Sequence, residues 1–220
     1  MEKTPAKTSL VVVGLVIACV LMMVPTWKEI VRPNISPKRF GIVAEGKVYR
    51  SGELTPSALA RVVKENKIKT IVDLGAFKDD PAGEERERQT ADAIGVVRYQ
   101  FLLEGDATGN ANYYLQALRI MNDPAQQPVL VHCGAGTHRT GCAVAMYRTI
   151  VEGVSREEAL EEATLFSYDP VKHTKFAEMF DQWQPRIQAA IGNGEAELAG
   201  VEPVPAPAVV HSRRKAADKP

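Results

Sequence analysis

The sequence predicts an α/β domain in which helices flank a central, mostly parallel sheet of four or five strands. Strand-like and helix-like segments alternate along residues 47–191, which is the pattern of parallel strands joined by helical crossovers. Strand segments such as residues 70–74 and 128–132 are largely apolar rather than alternating, so we expect them to be buried on both faces. A chain of 220 residues that is 45% hydrophobic and 25% charged suffices for one such domain.

Each element follows from a local signal along the chain. Thr55 and Pro56 supply the N-cap and first-turn proline of the first helix. Gly95 ends the second helix, and Ser155 with Glu158 forms a capping box for a later one. The predicted strands are residues 47–50, 70–74, 96–103 and 128–132. The predicted helices are residues 56–65, 83–94, one ending near 121 after a loop at 104–110, 140–152, one after Ser155, and 171–191.

The N-terminal segment predicts a single-pass membrane anchor at residues 9–27, after a short tail at residues 1–8. The twenty residues between Lys7 and Lys28 carry no charge, and as a helix they would span ~30 Å, about one hydrocarbon core. A cleaved signal peptide and a lipoprotein modified at Cys19 are the alternatives. Basic residues are more numerous after the segment than before it, which favours a cytoplasmic side for the following domain.

The remaining chain divides into a globular domain at residues 28–191 and a tail at residues 192–220. The tail contains no aromatic residue and is rich in Ala, Pro and charge. Such a composition buries too little apolar surface to offset the entropy of ordering, so we expect a disordered tail.

Charge and cysteine content exclude several classes of function. The chain has 27 basic and 27 acidic residues, so it lacks the basic excess that nucleic-acid binding requires. Three cysteines cannot form a disulfide framework, and no Cys/His cluster has the spacing of a zinc site. We therefore expect no metal, no cofactor and no nucleic acid.

The chemistry lies after the strand at residues 128–132. Gly134 and Gly136 allow backbone amides to converge at the start of a helix, where the helix dipole favours negative charge. Cys133 lies at the centre of this turn, and a helix N-terminus with a nearby arginine stabilises a thiolate. Arg139 offers a planar fork for two phosphate oxygens. The pattern predicts nucleophilic attack on phosphorus.

The segment HCGAGTHRTG at residues 132–141 resembles the H-C-x5-R-[ST]-G signature of the cysteine-based protein tyrosine phosphatases. It looks most like the atypical dual-specificity branch of plants and fungi and its bacterial relatives. Segments 48–52, 68–74 and 104–105 are also similar to that branch, and the resemblance covers about residues 40–185.

The resemblance implies a role for each residue of the signature. Cys133 would form a cysteinyl-phosphate, Thr140 would hydrogen-bond the sulfur and assist its departure, and His132 would orient the loop. The phosphoryl oxygens would be bound by the Arg139 side chain and by the amides of Gly134, Ala135, Gly136, Thr137, His138 and Arg139.

The general acid is expected in the loop that precedes this region. Asp106 is the first candidate and Glu104 the alternate, and an acid outside this loop stays open. Asp73, at the end of a neighbouring strand, is interpreted as structural. Cys142 is interpreted as a buried helix residue rather than a redox partner of Cys133.

The composition of the loop favours a single phosphoryl group as substrate. Relatives that act on inositol pyrophosphates carry several Lys or Arg in this loop, whereas only Arg139 is permanently charged here. We therefore expect a phosphatase acting on phosphotyrosine or phosphoserine/threonine of proteins, or on a small phosphorylated molecule. The alternatives are an inositol (pyro)phosphate phosphatase, a membrane-anchored phosphate-binding pseudophosphatase, and a sulfur-transfer or arsenate-reducing enzyme.

Overall fold

The computed structural model describes residues 36–205 and 208–210. The predicted N-terminal tail and the anchor at residues 9–27 lie outside the described residues and remain predictions. Among the described helices, none combines the length and apolar character needed to cross a bilayer.

The described residues form one six-stranded sheet in the order β1-β2-β5-β3-β4-β6. The four inner strands are parallel, while β1 and β6 pair antiparallel at the two edges. The predicted mostly parallel sheet is thus confirmed, and the antiparallel edge strands add to the four or five expected. The strands are β1 Gly41–Ala44, β2 Val48–Ser51, β3 Thr70–Asp73, β4 Val97–Gln100, β5 Val129–His132 and β6 Ala208–Val210.

Helices cover both faces of the sheet, as continuous burial of the inner strands requires. In β5, Leu130 packs in the apolar cluster beneath α1 and α2, whereas Val129 and Val131 pack in the larger cluster beneath α3 to α6. The Thr55 hydroxyl caps α1, and the predicted Ser155–Glu158 capping box opens α5. The helices are α1 Pro56–Asn66, α2 Pro81–Ile94, α3 Ala111–Asn122, α4 His138–Ile150, α5 Arg156–Thr164 and α6 Thr174–Asn193.

Residues 192–205 correct the expectation of a disordered tail from residue 192, whereas residues 206–207 and 211–220 of that predicted tail lie outside the described residues. Leu198 is buried, and its backbone N–H donates to Asn112 Oδ1 at 2.7 Å. Asn112 Nδ2 in turn donates to Glu202 O at 3.1 Å. Composition counts missed this packing because a buried side-chain amide of α3 satisfies the backbone of the segment.

The sheet brings three polar residues to one edge. Ser51, His132 and Asp73 end β2, β5 and β3, and the parallel register sets Ser51 and Asp73 beside His132. The loop after β5 therefore begins between two strand ends, at the edge where α/β sheets carry their sites.

Candidate active site

The loop after β5 is shorter than the sequence indicated. It begins at Cys133, and α4 starts at His138 rather than at Thr140. Arg139 and Thr140 therefore belong to the first turn of α4, where free amide groups and the helix dipole favour an anion.

Cys133 lies at the centre of this loop as a buried thiol. Its Sγ accepts a hydrogen bond from the Gly136 N–H at 3.2 Å. Burial raises its pKa, but the Thr140 hydroxyl, the Arg139 charge and the Thr140 and Gly136 amides outweigh burial, so the pKa lies below its ordinary value. These interactions therefore stabilise the thiolate form of Cys133 relative to the thiol.

The loop backbone packs directly on the end of β2. Gly136 has φ of +78°, and a Cβ on it would lie 2.6 Å from Gly52 N. A residue with a side chain would thus require a left-handed conformation and displace the neighbouring backbone.

The carbonyls of Gly134, Ala135 and Gly136 each accept a hydrogen bond from a donor outside the loop. The donors are Glu53 N for Gly134 O at 3.1 Å, Arg39 Nη1 for Ala135 O at 2.7 Å, and Arg50 Nη2 for Gly136 O at 2.6 Å. With the carbonyls held outward, the amides of the same peptide units face the sulfur side of the loop.

Arg139 is anchored at one end of its guanidinium. Nη1 donates to Leu74 O at 3.1 Å and to Gly75 O. The buried Nε has no hydrogen-bond partner among the described residues, so it remains available to a phosphate oxygen. The predicted fork is thus oriented by the backbone that follows β3.

Thr140 lies next to Cys133 and is fully buried. Its hydroxyl has no nitrogen or oxygen partner among the described residues. The hydroxyl proton is therefore free to point at Cys133, in agreement with its effect on the thiol pKa.

His132 belongs to a buried charged cluster behind the loop. Its Nε2 lies 3.1 Å from Glu87 Oε1. Burial lowers the pKa of His132, but Glu87 and then Asp73 raise it to about 9, so the imidazole is a cation at neutral pH. Arg98, which is also fully buried, donates to Glu87 Oε1 at 2.7 Å and to Asp73 Oδ2 at 2.6 Å. Asp73 is thus structural, as its strand-end position indicated.

Asp106 is exposed on the loop between β4 and α3. Its Oδ1 accepts from Thr108 N at 3.0 Å and from Thr108 Oγ1 at 2.6 Å, and these bonds hold its pKa below the ordinary value. Oδ2 takes part in neither bond. Glu104, the alternate acid, forms an ion pair with Lys78.

The side chain of His138 joins the catalytic loop to the Asp106 loop. Since a carbonyl can only accept, His138 Nδ1 carries the proton that it donates to Gly105 O at 3.0 Å. Its ring packs edge-on against His173, with centroids 4.2 Å apart. From the sequence, only the backbone amide of His138 was expected to take part, in phosphate binding. Its side-chain contacts were not expected, because Gly105 and His173 lie far from it along the chain.

Cys142 is fully buried, and burial raises its pKa to about 12. Such a thiol stays protonated at neutral pH and reacts slowly, which fits the interpretation as a helix core residue. Within the described residues, no three His, Cys, Asp or Glu side chains are placed to hold a metal ion.

Arg50 and Arg39 also belong to this site, although the sequence did not indicate them. Arg50 is buried beneath the loop with its guanidinium 3.7 Å from the centre of the Phe166 ring, and burial lowers its pKa to about 10. A charged residue within an apolar strand was the available signal in the case of Arg50. No such sequence signal pointed to Arg39, because an arginine outside a predicted strand is expected at the surface.

A family model described as a DSP-PTPase phosphatase fused to NAD+ kinase matches residues 20–180 of the chain. The inositol diphosphatase SIW14 of Saccharomyces cerevisiae is 28% identical over 156 residues, which cover 67% of this chain and 52% of that protein. The dual specificity protein phosphatase TpbA of Pseudomonas aeruginosa is 28% identical over 138 residues, which cover 63% of this chain and 57% of that protein. This chain thus spans about half the length of these relatives.

The fold is similar to that of a solved relative. The core catalytic domain of the S. cerevisiae PP-IP phosphatase SIW14, in complex with citrate, superposes with a TM-score of 0.57 at 25% identity. The match covers 74% of this chain and 98% of that domain.

We predict that Glu87→Gln flattens the pH dependence of stability. A raised folded-state pKa of His132 contributes stability that is complete below about 6.5 and lost as pH rises through about 9. The Gln oxygen can still accept from Arg98, but it does not hold the proton on His132. Urea unfolding from pH 6 to 10 should show a shallower fall in unfolding free energy than for the wild type.

Glu85→Gln on the exposed face of α2 is the matched control and should keep the wild-type slope. An unchanged slope in Glu87→Gln would show that His132 does not depend on Glu87 for its charge.

Proposed function

The chain belongs to the DSP-PTPase phosphatase family, and from this we propose that it hydrolyses phosphomonoesters through a cysteinyl-phosphate intermediate. The observation that carries the proposal is the Cys133 thiol, whose pKa is lowered within a loop where the carbonyls of Gly134, Ala135 and Gly136 accept hydrogen bonds from donors outside the loop. A stabilised thiolate inside an anion-binding turn is the arrangement that phosphoryl transfer to sulfur requires.

The proposed reaction has two steps. The Cys133 thiolate attacks phosphorus, the bond to the leaving oxygen breaks, and that oxygen takes a proton from the general acid. Water then attacks phosphorus and gives a proton to the carboxylate of the general acid. The phosphorus–sulfur bond breaks, which releases inorganic phosphate and restores both the thiolate and the protonated acid. The loop amides and Arg139 bind the phosphoryl oxygens in both steps, and the Thr140 hydroxyl stabilises the departing sulfur in the second.

The charge around the loop supports a single phosphoryl group as the reacting moiety. Arg39 and Arg50 donate to loop carbonyls from outside, which leaves Arg139 as the cation of the anion site. A neighbouring cavity of about 790 Å³ contains further cations, but Lys38 there pairs with Glu53 and Arg86 with Asp80. We therefore propose phosphotyrosine, phosphoserine/threonine or a small phosphomonoester as substrate.

An inositol diphosphatase activity is the second candidate, since a relative is named for it. A pyrophosphate leaves with little protonation, so this substrate would reduce the need for a general acid. The two candidates therefore differ in how strongly they depend on the acid as well as in their substrates.

Hydrolysis of an aryl phosphate tests the proposal directly. We expect metal-independent turnover that vanadate inhibits and EDTA does not change. Cys133→Ser should lower kcat at least a hundredfold, while Arg139→Lys should lose most activity because an ammonium cannot form the two-point contact. Turnover that EDTA abolishes and a divalent ion restores would contradict the mechanism. A panel of phosphopeptides and inositol phosphates separates the substrate candidates.

We propose Asp106 as the general acid. Thr108 holds Oδ1, which leaves Oδ2 to carry the transferable proton. The lowered pKa of Asp106 opposes protonation in the free protein; a bound phosphate dianion beside the thiolate would raise it. The His138 contact to Gly105 O supports the placement of this loop beside the anion site.

Asp106→Asn should lower kcat ~10²–10⁴-fold with a poor leaving group, and by much less with an activated aryl phosphate. The basic limb of the pH–rate profile should disappear with it. Glu104→Gln is the matched control and should keep that limb. If Glu104→Gln loses the basic limb and Asp106→Asn keeps it, Glu104 is the general acid instead.

We also propose that residues 9–27 attach the chain to a membrane as a single-pass anchor. The segment supports this because it carries no charge and is long enough to span a bilayer as a helix. Full-length protein should sediment with membranes and require detergent for extraction. Recovery of a processed chain that starts after residue 25 would instead indicate a cleaved signal peptide.

A further inference from the structure

We propose that Arg39 is a positioning residue for the catalytic loop: it holds the Ala135–Gly136 peptide plane so that the Gly136 N–H faces Cys133. The claim about catalysis rests on the proposed phosphatase function, whereas the claim about the thiol does not. Arg39 precedes β1 and lies 96 residues from Ala135 in sequence.

The guanidinium of Arg39 is fixed at two points. Nη1 donates to Ala135 O at 2.7 Å, and Nε donates to Ser167 Oγ at 3.2 Å. Ser167 lies in the segment between α5 and α6, so one planar group connects the catalytic loop to a second loop. A charged donor makes a stronger bond to a carbonyl than a neutral one does.

The contact reaches the nucleophile through one rigid peptide unit. The carbonyl of Ala135 and the N–H of Gly136 belong to the same plane and point in opposite directions. Arg39 binds the oxygen on the outer side, and the N–H donates to Cys133 Sγ at 3.2 Å on the inner side. Rotation of this plane would break both bonds together.

Of the three peptide planes whose carbonyls have donors outside the loop, the Ala135–Gly136 plane has the fewest contacts that hold it in place apart from Arg39. Gly134 O and Gly136 O are held by Glu53 N and by the buried Arg50, both at or next to β2. Ala135 is exposed at the tip of the loop. Without Arg39, water could bind the Ala135 carbonyl, and the Ala135–Gly136 peptide plane could take any orientation that the loop permits.

The backbone of Arg39 has a conformation that costs free energy for a residue with a side chain. Its φ is +47°, a left-handed conformation that is unfavourable for residues other than glycine. Lys38 O accepts from Gly52 N at 2.7 Å, which ties this turn to the end of β2. Glycine would suit the conformation better but could not reach Ala135 O.

The test uses Arg39→Gly in the full-length protein, because glycine adopts this conformation freely and the folded state is then not strained. The rate of Cys133 alkylation by iodoacetamide is measured against pH, with Cys133→Ser as the blank for other thiols. We expect the midpoint to move to higher pH by ~1 unit, the worth of about one hydrogen bond.

The kcat/KM for an aryl phosphate should fall about tenfold or more in the same variant. The urea midpoint of unfolding should not fall in parallel. Lys38→Ala removes the adjacent cation, which pairs with Glu53 rather than with the loop, and it should leave both the alkylation midpoint and kcat/KM unchanged. Arg39→Lys can donate to one acceptor and should give an intermediate result.

A wild-type alkylation midpoint in Arg39→Gly overturns the inference, as does a loss of activity that only follows lost stability. If Arg39→Gly does not fold, Ser167→Ala removes the second anchor and should shift the midpoint in the same direction by less; no shift then overturns it. A wild-type protein with a low alkylation midpoint but no hydrolysis would refute the proposed function while leaving this test intact.

Discussion

The site depends on one constraint of the peptide bond. A loop that directs its amide N–H groups at an anion must direct the carbonyls of the same planes away from it. Outward carbonyls next to a protein core need donors, because unpaired buried carbonyls are costly. Here Arg50 in β2 and Glu53 in the turn after it supply donors for the Gly136 and Gly134 carbonyls. Arg39, in the segment before β1, supplies the donor for the carbonyl of the exposed residue Ala135.

A second layer of charge lies behind the nucleophile. The His132 cation, Glu87, Arg98 and Asp73 are buried together across β3, β4, β5 and α2. Buried charges are tolerated only when paired, and removal of one partner leaves the others uncompensated. The cluster therefore holds α2 against the sheet and keeps a positively charged imidazole at the residue that precedes Cys133.

The loop that carries Asp106 is held at both ends. His138 of α4 donates to Gly105 O, and Asn110, which caps α3, donates through Nδ2 to Glu202 O at 2.7 Å. The C-terminal segment thus contributes to the shape of the Asp106 loop, although its composition resembles that of a disordered tail. Its order comes from hydrogen bonds to α3 and from the buried Leu198 rather than from an apolar core of its own.

Features encoded by neighbouring residues could be predicted from the sequence: the parallel α/β architecture, the helix caps at Thr55 and Ser155, and a glycine-containing turn that begins at Cys133. These signals are local, since strand burial, capping and turn chemistry act over a few residues. The distant groups that support this turn could be identified only from the folded chain. Arg50 and Arg39 lie 86 and 96 residues from the carbonyls they bind, and contacts across such separations leave no periodic trace in the chain.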